Sequence, residues 1–173
     1  MQEIADEAGI NKAMLHYYFR SKGKLFEAVF EAGIKKVLPP AVEQLASDHP
    51  LGLKIRRFIE TYLENMSRNP KLPGFIIAEL NRNPDHLRNI AMAEIAPALP
   101  KIRSQLAEAV AEGRVRAISA EDLICNLISM CLFPLLARPV FQSILQLEGG
   151  KYDEFLARRT ETVTDFVFNA LRP

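Results

Sequence analysis

Apolar residues recur along most of this chain at three- and four-residue steps, the spacing of a helix with one buried face. The clearest run is Ile55, Phe58, Ile59, Tyr62, Leu63 and Met66, closed by Asn69-Pro70. Ahead of it the pattern predicts a short helix over 2–8 ending at Gly9, and a second over 12–19. A third is capped by Ser21, carries Leu25, Phe26, Val29, Phe30, Gly33 and Val37, and ends near Pro39-Pro40. Beyond it the spacing predicts a helix over about 74–82 and a run from Leu87 to Glu112 interrupted by Pro97 and Pro100. A Ser119-capped helix over 120–137 follows, and after Gly149-Gly150 a last helix over 152–171. No stretch alternates as a strand does, so the expected fold class is all-α.

The third predicted helix carries Glu27, Glu31, Lys35 and Lys36 and would connect the first two helices to the rest. The run 120–137 is apolar nearly all round, with Leu123, Ile124, Leu127, Ile128, Met130, Cys131, Leu132 and Phe133. Such a helix needs cover on more than one side. One side suits the chain's own core and another a second copy. The last helix, with Phe166 and Phe168 on different faces, fits the same use. A homodimer through 120–137 and 152–171 is therefore expected, against the plainer reading of a central helix in a monomer.

Composition narrows the function. Hydrophobic residues make up 49% of 173, enough for a real core, and the formal net charge is +1. Any nucleic-acid contact must come from a local patch. Lys12, Arg20, Lys22 and Lys24 supply one, with no acid among them. The longest uncharged apolar run, Leu123–Ala137, has fifteen residues, short of the roughly 20 a bilayer span needs. No membrane span and no signal peptide are read. Cys125 and Cys131, the chain's two cysteines, read as buried inert thiols in a reducing cytosol. Metal-ligand spacing, a phosphate loop and a nucleophile–base motif are all missing, so no metal, cofactor or enzymatic activity is expected.

The first residues carry the most specific chemistry. Ile4, Ala5 and Ala8 make a short apolar face, Gly9 allows a tight turn, Ile10 plugs it, and Asn11 caps the next helix. Leu15 and Phe19 anchor that helix inward. Lys12, Ala13, Met14, His16, Tyr17 and Tyr18 are left free, a face suited to a major groove. Ser21 starts the third helix, whose N-terminus with Lys22 and Lys24 suits a phosphate.

The run Ile4-Ala5-Asp6-Glu7-Ala8-Gly9-Ile10-Asn11, then Leu15-His16-Tyr17-Tyr18-Phe19-Arg20-Ser21-Lys22, resembles the helix-turn-helix of the TetR (tetracycline-repressor) family of bacterial regulators. The resemblance implies that Lys12, Ala13, Met14, His16 and Tyr17 face bases or the nearby backbone. It implies that Tyr18 and Lys22 grip phosphates, and that Gln2 touches the backbone. Asn11 belongs to the same DNA-binding set. His16 stands where the family usually has Tyr, and Gly23-Lys24 replaces a common acidic pair. Family members carry one more helix ahead of this point, so a module lacking its first helix is expected, with the missing segment upstream.

The resemblance further implies a double-stranded DNA operator, a homodimer and a small-molecule effector. The expected division is residues 1–38 for the helix-turn-helix module with its connecting helix, and 39–173 for a helical regulatory domain. Candidate effector contacts are Tyr62, Met66, Phe75, Glu79, Asn126 and Met130, each polar or adaptable on an otherwise apolar helix. The mixture points to an apolar or amphipathic ligand. The expected function is a cytoplasmic, sequence-specific regulator, a repressor released when its effector tilts the connecting helix. The alternative is a helical interaction dimer of the same descent that does not bind DNA.

Overall fold

The computed structural model describes residues 1–173 as eleven α-helices with one short 3-10 turn and no strand. The all-α expectation is met. The helices are α1 (Gln2–Glu7), α2 (Lys12–Phe19), α3 (Lys22–Ala46), α4 (Leu51–Arg68), α5 (Leu72–Arg82) and α6 (Pro84–Glu94), with the 3-10 turn at Ala96–Ala98. Then come α7 (Leu99–Ala111), α8 (Ala120–Leu136), α9 (Arg138–Ile144), α10 (Lys151–Ala157) and α11 (Arg159–Leu171). No single helix is long and apolar enough to cross a membrane.

The buried side chains fall into two separate cores. The main one gathers Phe30, Ile34 and Val37 of α3 with Ile55, Phe58, Ile59, Tyr62 and Met66 of α4. Ile102 and Leu106 of α7, Leu123, Leu127 and Cys131 of α8, and Val163 and Val167 of α11 complete it. Each such side chain contributes roughly 1.5–3 kcal/mol when fully buried. The second core is small: Ala5 of α1, Leu15 of α2 and Leu25 of α3, with Met1 and Phe19 against them. Only α3 contributes to both.

Several boundaries differ from the sequence expectation, each for a tertiary reason. α3 does not stop at Pro39-Pro40 but runs through both prolines to Ala46. Each proline removes one amide donor, which frees the carbonyls of Lys35 and Lys36. Those residues lie on the exposed side, where water serves. Beyond the prolines Ala41, Val42 and Leu45 are buried, and the fully buried Lys54 of α4 donates from Nζ to the Leu45 carbonyl at 3.0 Å. Burial of that last stretch offsets the proline cost of roughly 3 kcal/mol.

The expected last helix is two helices, α10 and α11, meeting at Arg158. Thr162 and Thr164 return their hydroxyls to carbonyls one turn back, a habit that bends helices. α9 had no sequence signal; it leaves α8 at an angle of 78° after Ala137. Ile10 does not plug the first turn: it is 41% exposed, and the turn closes through backbone bonds and the positive φ of Gly9. Phe166 is 65% exposed, while Val163, Thr164, Val167 and Leu171 form the inner face of α11.

Candidate nucleic-acid interface

α1 and α2 form a helix-turn-helix whose turn is set by local chemistry. Gly9 takes φ +65°, and the Ile10 amide donates to the Ala5 carbonyl at 3.0 Å. Asn11 then caps α2, its side-chain oxygen accepting from the Ala13 amide at 2.8 Å. Leu15 is buried and Phe19 half-buried, which fixes the rotation of α2. The opposite face carries Lys12, Ala13, Met14, His16, Tyr17 and Tyr18, all exposed. Tyr17 is 80% and Tyr18 69% exposed, with their rings edge to face at 5.3 Å.

Two large aromatic rings left to solvent side by side carry a cost unless something covers them. The face also holds a cation and hydrogen-bonding groups but no carboxylate, the set that reads base edges in a major groove.

The chain reverses at Arg20, which takes φ +58°. Ser21 opens α3, its hydroxyl oxygen accepting from the Lys24 amide at 3.2 Å. Lys24 pairs with Glu27 at 2.8 Å, whereas Lys22 is exposed and has no ion pair. The positive end of α3 therefore lies beside this exposed face with a free ammonium, an arrangement suited to a phosphate. Gln2 is held by Asp6 at 2.7 Å on the exposed side of α1.

Two family models decide the kinship. Residues 1–29 match the family model for bacterial regulatory proteins of the tetR family. Residues 53–167, more than half the chain, match the tetracyclin repressor-like C-terminal domain. The chain belongs to the TetR family. It is a DNA-binding transcriptional regulator of the helix-turn-helix type. A search of curated proteins finds no match. TetR membership also implies an operator, dimerisation and a small-molecule effector.

Of the residues expected at an effector site, Tyr62 and Met66 share the main core with Phe75 and Met130 packed against it, but Met66 and Phe75 line different clefts. Met66 lines a cleft of about 320 Å³ with Pro70, Pro73, Leu135 and Leu156, where the pair Arg138–Asp153 adds charge at 2.7 Å. Tyr62 lies in the main core, stacked on Phe58 at 5.6 Å, and burial pushes its hydroxyl pKa up. Phe75 stacks on Phe26 at 5.0 Å between α5 and α3. The Glu79 carboxylate is fully buried and taken up by Arg82 and His86. Asn126 is exposed on the outer side of α8 and Met130 is half-buried. Of the two thiols, Cys131 is buried, which pushes its pKa up to about 12, whereas Cys125 is exposed rather than buried as expected.

Sequence reasoning missed the charged cluster that links α3 to α5 and α6. Glu27 and Glu31 stand one turn apart on α3; Arg82 and His86 face them from either side of the Asn83-Pro84 break. The only sequence trace was the four-residue spacing of the two glutamates. Arg82 and His86 carry no periodic signal, because the break between their helices brings them together.

Proposed function

We propose that this regulator is a homodimeric repressor which reads an operator through α2 and is released by an apolar or amphipathic effector. The carrying observation is the outer face of α2: exposed, free of acid, and held in rotation by Leu15 and the Asn11 cap. In this reading Lys12, Ala13, Met14, His16 and Tyr17 meet base edges or the nearby backbone. Tyr18 and Lys22 hold phosphates, Gln2 touches the backbone from α1, and Asn11 serves through its cap beside the groove. Residues 1–38 are the reading module and 39–173 the regulatory part, with α3 running on between them.

The dimer forms through α8 and the α10–α11 segment, residues 120–137 and 152–171. Phe133 is 54% exposed and Phe166 65%, on the two helices whose inner faces already fill the core. Two-fold pairing buries both rings and sets two copies of α2 at a fixed separation. The cleft beside Met66 supports an amphipathic effector, since apolar walls surround one charged pair. The other proposed contacts, Tyr62, Phe75, Glu79, Asn126 and Met130, require rearrangement to reach it.

The test is binding to duplex DNA from the intergenic region upstream of the gene as salt is raised. Specific binding that weakens steeply with salt supports the reading. No binding at low salt overturns it and leaves a helical interaction dimer.

A further inference from the structure

We propose that His86 is a proton-operated clasp that fixes the DNA-reading helices against the regulatory body. The inference rests on α2 being the reading helix, and it adds a regulatory input beyond an effector.

The geometry is specific. His86 Nδ1 stands 2.5 Å from Glu79 Oε1, and His86 Nε2 stands 3.1 Å from Glu31 Oε1. A neutral imidazole has one N–H and one lone pair; only the imidazolium donates to both carboxylates. Glu79 is fully buried, and its Oε2 accepts from Arg82 Nη2 at 2.8 Å and Nε at 3.1 Å. Arg82 also faces Glu27 Oε1 at 3.5 Å and lies over the Phe26 ring at 4.8 Å.

When the proton leaves His86 for solvent, the remaining N–H stays with Glu79. A buried carboxylate oxygen without a donor is the costlier loss. Nε2 then presents a lone pair to Glu31, and that contact turns from attraction to repulsion. The bond that responds to the proton is thus the one between α6 and α3.

The other charges around this ring are accounted for. On α3, Lys24 pairs with Glu27 and Lys35 reaches Glu31 at 3.7 Å. On α5, Arg82 is the cation. On α6, the exposed Asp85 and Arg88 pair with each other at 3.2 Å. The hydrogen bond to Glu79, helped by that to Glu31, holds the His86 pKa above its ordinary value against a smaller opposing effect of burial. A raised folded-state value means the clasp is complete below the ordinary histidine range and is lost as pH rises through the raised value.

The position gives the clasp its consequence. The reading module has its own small core and joins the main core only through α3. Glu27 and Glu31 flank Phe30, where α3 enters the large core just beyond Leu25 of the small one. Arg82 extends to the first turn of α3: a Cβ placed on Gly23 would stand 3.6 Å from its Nη1. Closing the clasp therefore orders the stretch of α3 that carries α2. Opening it lets that stretch pivot, so the ordering cost falls on DNA binding.

The experiment has two arms on the full chain. The first follows the His86 ring by NMR titration and the amides of residues 24–31 by hydrogen exchange, corrected for intrinsic rates, in the parent, His86→Gln and Glu31→Gln. The expected result is a parent whose protection falls roughly tenfold from about pH 6 to about pH 8.5, with both variants flat. Unchanged protection in the parent, an equal fall in His86→Gln, or titration of His86 at or below its ordinary value overturns the clasp.

The second arm measures binding of the upstream duplex by the parent and by His86→Gln; both carry His16, so the difference between them reads His86. Affinity falling severalfold over the same range in the parent, and clearly less in His86→Gln, supports the link to DNA reading. Responsive protection with equal affinity profiles in the two overturns that link. If the parent binds no duplex at any pH while protection responds, the clasp stands and the operator reading fails.

Discussion

Arg159 donates from Nη2 to the carbonyl oxygen of Met130 at 3.0 Å, the acceptor that Pro134 leaves without a helical donor. Four residues on, the Pro134 carbonyl accepts the hydroxyl of Tyr152 at 2.7 Å. Two side chains from the α10–α11 segment thus complete the last turns of α8, and the turn at Arg158 lets both reach it. Arg159 is only partly satisfied by this, since its buried Nε has no partner.

The Arg159–Met130 bond makes a stability prediction. Arg159→Met should cost about 1–3 kcal/mol, the range for leaving a buried acceptor unpaired. Pro134→Ala restores the missing amide, so in that background Arg159→Met should cost clearly less. A double-mutant cycle by urea denaturation reads the coupling. Additive costs would show that Arg159 does not complete α8.

Lys54 is fully buried, yet its ammonium has a single acceptor, the Leu45 carbonyl. Burial, aided by Lys101, holds its pKa below the ordinary lysine value, with Asp48 opposing. The unfolded chain therefore binds more protons in the window between the lowered value and about 10.4, so stability rises with pH across it. Lys54→Met keeps the shape and removes the charge. We expect its stability to lie within about 1 kcal/mol of the parent at neutral pH, with this alkaline rise reduced. A loss of several kcal/mol in denaturant melts would mean that the ammonium is needed to end α3.

At the start of α3, beside the proposed reading face, Lys22→Ala should weaken duplex binding uniformly across sequences and lower the salt slope by about 1. Tyr17→Ala should instead reduce discrimination between operator and unrelated DNA. Fluorescence anisotropy at several salt concentrations separates the two behaviours. Identical effects from both would place Tyr17 on the backbone.

Asn11→Ala removes the cap of α2 and should destabilise the small module by about 1 kcal/mol. Hydrogen exchange should show the loss in α1 and α2 with the main core unchanged, because the two cores share only α3. Global destabilisation of equal size would show that they unfold as one.

Phe166→Glu should convert the dimer to a monomer without unfolding it, since the ring is 65% exposed in the single chain. Sedimentation together with circular dichroism checks both halves of that statement. A dimer that persists would move the interface away from α11.

The turn and caps of the first helices were legible, although Ile10 stays exposed instead of plugging the turn. Gly9, Asn11 and Ser21 act on their own neighbours within a few residues, and each does in the structure what its type predicts. α4 was legible too, because its apolar stripe faces one large core. Legibility failed where distant residues decide. Pro39-Pro40 reads as a stop, but the burial of Ala41, Val42 and Leu45 carries α3 past it. Residues 152–171 read as one helix, but the chain turns at Arg158, with Tyr152 and Arg159 on either side both bonded back to α8. Glu79 read as a pocket residue, but Arg82 and His86 claim both its oxygens.

What the sequence by itself determined is therefore the helical class, the helix-turn-helix and the exposed, acid-free face of α2. All of these follow from propensity, capping and periodicity, which act over short stretches of chain. The tertiary structure alone decided how α3 joins two separate cores and which charges meet across α3, α5 and α6. Burial and electrostatic pairing depend on distances that folding creates between residues far apart in the chain, and Glu31 and His86 are the pair on which that difference is plainest.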